Sequence, residues 1–438
     1  MTYKDFTRRL AEKMQINELR PMQNELLGTD ACSVRLAAPT GSGKTIAFAG
    51  YMLRRITRPT GNVQGVVIVP SRELALQVSD VIRKLADGLK TVTLYGGHSV
   101  DDETKSLTPV PDIIVATPGR LLDHLNRRRV DLSAATILVI DEYDKSLELG
   151  FEDDMRRLRR AMTAVRHLVL TSATPISEPP SWLGANDFVD FDHSGSDTNS
   201  KEADVVEIQS PARDKAQTLI DTLLALQPQK AIVFVNHRES AERTYMLLRR
   251  GGIDAALYHG GLDQNDRENA LTMLANGSAR VLVATDLAAR GLDIAGLDAV
   301  IHYHLPTSPE AWTHRNGRTA RNGADGTVYI ITSEADSIPG YINATRTWNP
   351  TAPECSTLPA AKATLHINAG RKEKISRADV VGFLMAHTQL SSDEIGPISL
   401  SDHQTLVAVP RDKSRETAAA VAPFKLKNKR VRITQMKI

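Results

Sequence analysis

The sequence predicts an α/β protein built as two tandem parallel-sheet domains followed by a small C-terminal α/β domain. Short apolar runs recur through the first 335 residues: GVVIVP, DIIVAT, TILVID and HLVLTS, then AIVFVN, RVLVAT, DAVIHY and GTVYIIT. They rarely alternate polar with apolar, which is the pattern of strands covered on both faces. Helix-like stretches such as ELALQVSDVIRKLADGL and ESAERTYMLLRR lie between them, and strand–helix alternation builds parallel layers. Two breaks divide the chain. The segment from His193 to Asp204 is polar and serine-rich, and the one from Arg346 to Lys362 holds three prolines and no clear period. The predicted domains are therefore 1–195, 205–345 and 363–438.

The composition narrows the function classes. The 438 residues are 41% hydrophobic and 24% charged, ordinary for globular domains. Two distant cysteines, Cys32 and Cys355, make neither a disulfide framework nor a zinc site. The N-terminal MTYKDFTRRLAEK lacks an apolar signal core, and no apolar run reaches the roughly 18 residues of a membrane span. A cytoplasmic protein without a membrane partner is expected. The net charge of +2 is unevenly spread. From Thr364 on there are 13 Lys and Arg against 7 Asp and Glu, a surplus of +6 that leaves −4 elsewhere. Such a basic end fits a polyanion partner, since phosphates attract Lys and Arg and release counterions on binding; a solvated tail is the bland alternative.

The strongest motif is Ala38-Pro-Thr-Gly-Ser-Gly-Lys-Thr45, a Walker A loop with Ala38 in place of its first glycine. Gly41 and Gly43 let the backbone around Thr40 and Ser42 turn its N–H groups toward phosphates. Lys44 supplies positive charge to the β and γ phosphates, and Thr45 offers a hydroxyl to Mg²⁺. The helix-like TIAFAGYMLRR that follows would direct its N-terminus at the anion. Downstream, LVIDEYD puts paired acids after a buried strand, at the sheet edge where α/β ligands bind. Asp141 is the expected Mg²⁺ ligand and Glu142 the group that orients and deprotonates the attacking water. ATP and Mg²⁺ are the expected cofactors.

Across residues 6 to 335 the motifs resemble the DEAD-box RNA helicases, whose core is two RecA-like domains. DEYD, Asp141 to Asp144, stands in the DEAD position with Tyr143 replacing alanine. The resemblance implies that Gln23 reads adenine and that Phe6, 17 residues upstream, stacks on the base; Arg20 stands where the family usually has Thr. It implies RNA-backbone contacts at Arg72 in PSRELA, at Gly97, and at Thr117 and Arg120 in TPGR. Phosphates and sugars can be held by such groups without reading sequence. Ser172-Ala-Thr174, together with Asp144, would couple hydrolysis to strand separation.

In the second domain, Gln264, Arg267 and Thr285 match further RNA-contacting positions, and Asp293 the ATP ribose contact. HRNGRTAR, residues 314–321, resembles the family's arginine motif with Ala320 for a glycine. Arg318 and Arg321, spaced to share a helix face, would act as arginine fingers. The first domain carries lysine, metal ligand and base and the second the fingers, so hydrolysis is expected only when the domains close on ATP and RNA. Local unwinding is the expected outcome.

The last segment reads as βαββαβ, the order of RNA-recognition motifs, but without their aromatic platform. GRKEKI at 370–375, IGPISL, TLVAVP and the RVRI end resemble the C-terminal domain of DbpA-type helicases, which binds a hairpin of large-subunit ribosomal RNA. Arg371, Lys372 and Lys374 carry over as RNA contacts, with Lys425, Lys427, Lys429 and Arg430 added on charge alone. The function expected is an RNA-dependent ATPase and helicase in large-subunit ribosome assembly. The alternatives are an ATP-gated RNA clamp or a general RNA chaperone without a specific ribosomal target, and a DNA helicase.

Overall fold

The computed structural model describes the chain except residues 1, 40, 98–99, 176–178, 186, 195–203, 287–295, 317–326, 352–354 and 437–438. The chain divides into two compact units near residue 200. No helix among the described residues is long and apolar enough to cross a membrane.

The first unit holds a parallel sheet of β1 (Ser33–Ala37), β2 (Gly65–Ile68), β3 (Thr91–Leu94), β4 (Ile113–Ala116), β5 (Ile137–Ile140), β6 (His167–Ser172) and β7 (Val189–Asp192). The strand order is β3-β4-β2-β5-β6-β1-β7. The central strands β2, β4 and β5 are buried at every position, because helices cover both faces. The order matters for function. Strand β6 lies between β5, which leads to the paired acids, and β1, which leads to the glycine loop. Its register sets Leu170 beside Ile140 and Ser172 beside Ala37. Three motifs far apart in sequence therefore meet at one carboxyl edge.

The second unit repeats the plan with β8 (Asp204–Gln209), β9 (Ala231–Val235), β10 (Ala255–Tyr258), β11 (Val281–Thr285), β12 (Ala299–His302), β13 (Thr327–Thr332) and β14 (Arg346–Thr347), in the order β10-β11-β9-β12-β13-β8-β14. The proline-rich segment expected to be a plain break is in fact tied to both edges of this sheet. Strand β14 pairs with β8 at one edge. Leu358, fully buried, bridges to Ile253 just ahead of β10 at the other.

The same unit contains the small domain. Strands β15 (Lys362–Ile367), β16 (Ile398–Leu400), β17 (Thr405–Pro410) and β20 (Ile433–Gln435) form an antiparallel sheet in the order β16-β17-β15-β20. The helices Arg377–His387 and Ser414–Val421 pack on the face of Leu365, Ile367, Val407, Val409 and Ile433. The expected single last strand is instead a hairpin, β18 (Lys425–Leu426) with β19 (Lys429–Arg430), followed by β20. Its two-residue loop has positive φ at both Lys427 and Asn428, the twist that matches a tight hairpin.

Candidate active site and RNA-facing surfaces

The glycine loop runs from β1 into the helix Lys44–Arg55. Gly41 and Gly43 have φ of +82° and +92°, where a side chain is strained. A Cβ on Gly43 would also lie 2.3 Å from Gln23 Nε2. Gln23 is buried in the helix Pro21–Gly28 and serves as a strut. Its Nε2 donates to Gly43 O at 3.2 Å, and its Oε1 accepts from Arg20 N at 2.9 Å. Arg20 gains a use here, because its Nη1 donates to Ser42 O at 3.1 Å. Lys44 is buried and donates to the carbonyls of Ala38 and Pro39. Thr45 sits in the first helical turn. Thr40 lies outside the described residues.

Asp141 follows β5 directly and is buried. The Thr171 hydroxyl on β6 donates to its Oδ1, and Glu142 N approaches the same oxygen at 3.1 Å. Burial pushes the Asp141 carboxyl up, against the pull of Thr171 and Lys44. Asp144 is raised by burial too, opposed by a hydrogen bond with Ser172 and by Lys44. Lys44, Asp141, Asp144 and Ser172 thus form one electrostatic cluster, and Thr174 N joins it through Ser172 Oγ at 3.1 Å. Glu142 starts the helix Tyr143–Glu148 in a left-handed conformation, φ +48°. Its N–H is steered by Asp141 and by Thr171 Oγ1 at 3.3 Å. Strain at a non-glycine residue in such a position needs support from its surroundings. Tyr143 turns inward and fills the core beneath the helix. The donor set fits a nucleoside triphosphate with Mg²⁺. Backbone N–H groups and an ammonium suit phosphates, while one carboxylate and one hydroxyl suit an ion that keeps several waters and binds substrate phosphates.

Phe6, expected to lie over the base, is 2% exposed, and its ring packs beside Gly50 among the core residues that include Leu27.

Arg72 begins the helix Arg72–Leu85, and its guanidinium lies against Gly96, beside Gly97 at φ +102°. Thr117 caps the helix Pro118–Asn126. Arg120 is held inward, as Nε donates to Glu103 Oε2 at 2.6 Å. The buried Glu103 also meets His124 Nε2 at 2.7 Å and accepts from Tyr95 N at 3.1 Å. Arg120 therefore braces the loop that carries Gly96 and Gly97. Sequence reading missed Glu103, whose only signal was an acid in a polar stretch.

In the second unit Gln264 and Arg267 meet each other, Arg267 Nη2 donating to Gln264 Oε1 at 2.6 Å. Thr285 ends β11 and is buried. Arg318, Arg321 and Asp293 lie outside the described residues. Their neighbour Arg315, not singled out from sequence, is 1% exposed and central. It forms a two-pronged pair with Asp286, donates to His304 O at 2.7 Å and to Asn236 Oδ1 at 2.8 Å, and lies over the Phe234 ring. His302 packs beside it, and burial with the adjacent Arg315 drives its imidazole down to about 3.

Residues 20–181 match the DEAD/DEAH box helicase family, residues 214–323 the helicase conserved C-terminal domain, and residues 364–435 the DbpA RNA binding domain. The chain is 37% identical to the ATP-dependent RNA helicase DbpA of Escherichia coli, over 92% of its own length and 91% of that protein's. The chain belongs to the DEAD/DEAH box helicases. It is an RNA-dependent ATPase of the DbpA type. The helicase is also 35% identical to the DEAD-box ATP-dependent RNA helicase CshA of Bacillus subtilis, over 74% of this chain and 68% of that one. It shares its fold with two solved structures. One is S. cerevisiae Dbp5 bound to RNA and ADP BeF3, with a TM-score of 0.67 at 23% identity, covering 79% of this chain and 93% of that one. The other is Mss116p bound to ssRNA and AMP-PNP, with a TM-score of 0.66 at 24% identity, covering 80% and 78%.

The helicase's RNA binding domain explains its missing sheet aromatics. The sheet face opposite its helices carries Thr364, Leu406 and Ala408, all buried. The second parallel-sheet domain covers it. Thr364 Oγ1 accepts from Asn276 Nδ2 at 2.9 Å and meets Ser278 Oγ at 2.5 Å, while Gln404 Nε2 donates to Asn269 Oδ1 at 3.1 Å. A clamp sits beside this contact. Asp254 is buried and accepts from Arg249, from Arg411 of the small domain, and from Ala360 N at 2.8 Å. The basic loop is elsewhere and exposed. Arg371 N and Lys372 N donate to Ser401 O and Asp402 O, both at 2.9 Å. This anchoring leaves the side chains of Arg371, Lys372 and Lys374 at the surface.

Proposed function

We propose that this helicase remodels RNA locally, beside a hairpin of large-subunit ribosomal RNA that its C-terminal domain holds, during ribosome assembly in the cytoplasm. One observation carries the reading. The DbpA RNA binding domain has its sheet face covered, while the exposed 371–374 loop and the β18–β19 hairpin concentrate Lys and Arg on the remaining surface. A phosphate backbone is the natural partner of that surface.

For the reaction, Lys44 and the loop N–H groups would bind the triphosphate. Thr45 and Asp141 would hold Mg²⁺, which supplies charge neutralisation at the phosphates. Glu142, fixed by its backbone contacts, would orient the attacking water and take its proton. Gln23, already tied to Gly43, would report an occupied loop to the start of the chain. Arg318 and Arg321 are proposed to complete the charge at the γ-phosphate. Asp144 with Ser172 and Thr174 would pass the change to the RNA-facing segments.

ATPase activity is measured with the candidate ribosomal hairpin and with unrelated RNA of equal length, at several salt concentrations. Stronger activation by the hairpin is expected. Equal activation by both would leave an ATP-driven RNA chaperone without a chosen target.

A further inference from the structure

We infer that the C-terminal domain carries a base-stacking site on its helical side, formed by His387 and Phe424, which takes one unpaired nucleobase of the bound RNA. The inference deepens the proposed reading and rests on this domain being the part that holds RNA. The rings of His387 and Phe424 stack with centroids 3.8 Å apart and an interplanar angle of 15°. Phe383, rooted in the domain core, meets His387 edge-on at 5.1 Å and steadies it from below. Phe424 remains 42% exposed. A large aromatic residue left this open, already stacked on one side, has area for a third ring.

The surroundings select a nucleobase over other aromatic partners. Phe424 leads directly into the β18–β19 hairpin, where Lys425, Lys429 and Arg430 are exposed. Leu426 is buried and pins the hairpin to the core. At its far end Lys427 Nζ donates to Lys374 O at 3.0 Å and to Asp379 Oδ2 at 3.1 Å. The hairpin thus follows the helix Arg377–His387 from the 371–374 loop at its start to His387 at its end, a path of roughly 15 Å at the helical rise. Positive charge along a strip that ends in stacked rings is the arrangement single-stranded nucleic acid requires, with phosphates on the cations and a base on the ring. It also resolves the missing sheet platform. The open sheet face is spent on the neighbouring domain, so stacking moves to the opposite side.

The test uses the full chain without nucleotide and an RNA hairpin with a three-nucleotide single-stranded extension carrying 2-aminopurine. Wild type should quench the 2-aminopurine on binding. Phe424→Ala should weaken binding about tenfold, within the range for loss of one stacked base, and abolish the quench at saturation. Phe424→Trp should keep both. Phe424→Ala should leave the salt dependence of binding intact, whereas Lys429→Gln should lower its slope by about 0.7 to 0.9. Equal affinity and quench in Phe424→Ala would overturn the site, as would Phe424→Trp behaving like alanine. A thermal melt accompanies each variant; if alanine disturbs the fold, the tryptophan variant decides. If hairpin and unrelated RNA bind wild type equally while Phe424→Ala weakens both, the target reading falls and the stacking site stands. If wild type prefers the hairpin and Phe424→Ala changes nothing, the stacking site falls alone.

Discussion

At the carboxyl edge of the first sheet, Asp141 is buried and Asp144 half-buried, with their charge only partly answered. Burial raises both, and Asp144 Oδ1 finds no hydrogen-bond partner among the described residues. At the corresponding edge of the second sheet, Arg315 is equally buried but closely matched by Asp286, Asn236, His304 O and the Phe234 ring. The scaffold is the same, a seven-stranded parallel sheet, yet charge is used in opposite ways. Buried carboxylates with unmet capacity cost stability and are kept where a ligand or ion will complete them. A buried, fully bonded guanidinium holds the turns around it in shape, and its removal strands the partner charge.

Substitutions at three positions and a pH series probe this contrast. The largest effect is expected at Asp141. Asp141→Asn should lower RNA-stimulated ATP turnover by about two orders of magnitude or more, while the denaturant midpoint stays level or rises, because a strained buried charge is removed. A clear loss of stability in that variant would break the contrast. Arg315→Ala should do the reverse and destabilise the second unit by about 3–5 kcal/mol, the usual result of stranding one partner of a buried pair. Arg315→Lys should recover little, since an ammonium cannot reproduce the two-pronged contact with Asp286. Urea unfolding followed at Trp312 and Trp348, both in the second unit, reads the effect. The smallest effect is the acid limb. His302 is held down to about 3 and His304 to about 4, against 6.5 when exposed. A depressed histidine binds its proton only on unfolding, so its stabilisation is complete above about 6.5 and falls as pH drops toward the folded value. Between pH 6.5 and 5 the fully buried His302 should cost up to about 1.4 kcal/mol per pH unit, and His304, which solvent partly screens, less. His302→Asn should remove its share of that slope, and an unchanged slope would show that the imidazole is not held neutral.

Much of the first site was legible in sequence because its chemistry is local. Gly41, Gly43, Lys44 and Thr45 lie within five residues, and the φ angles that require glycine follow from the turn itself. Asp141 and Glu142 were legible for a similar reason, as paired acids after a continuous apolar strand. The burial of Phe6 was not legible, because spacing along the chain says nothing about which way a ring faces once a helix packs. Glu103 and Arg315 were passed over because an isolated acid, or one arginine among several, gains meaning only from its partners. Asp286 is 29 residues from Arg315, and Glu103 is 17 from Arg120.

The sequence by itself determined the two parallel sheets, the phosphate loop and the basic C-terminal end, since strand burial, glycine turns and charge are properties of short segments. Tertiary structure alone decided what those segments do together. Strand order put β6 between the acids and the glycine loop, which joins Ser172 to Asp144. Contacts between Thr364 and residues 276–278 closed the small domain's sheet face. Packing on the helix Arg377–His387 set Phe424 upon His387. Each of these depends on free energy shared between segments remote in the chain, which no local pattern of residues records.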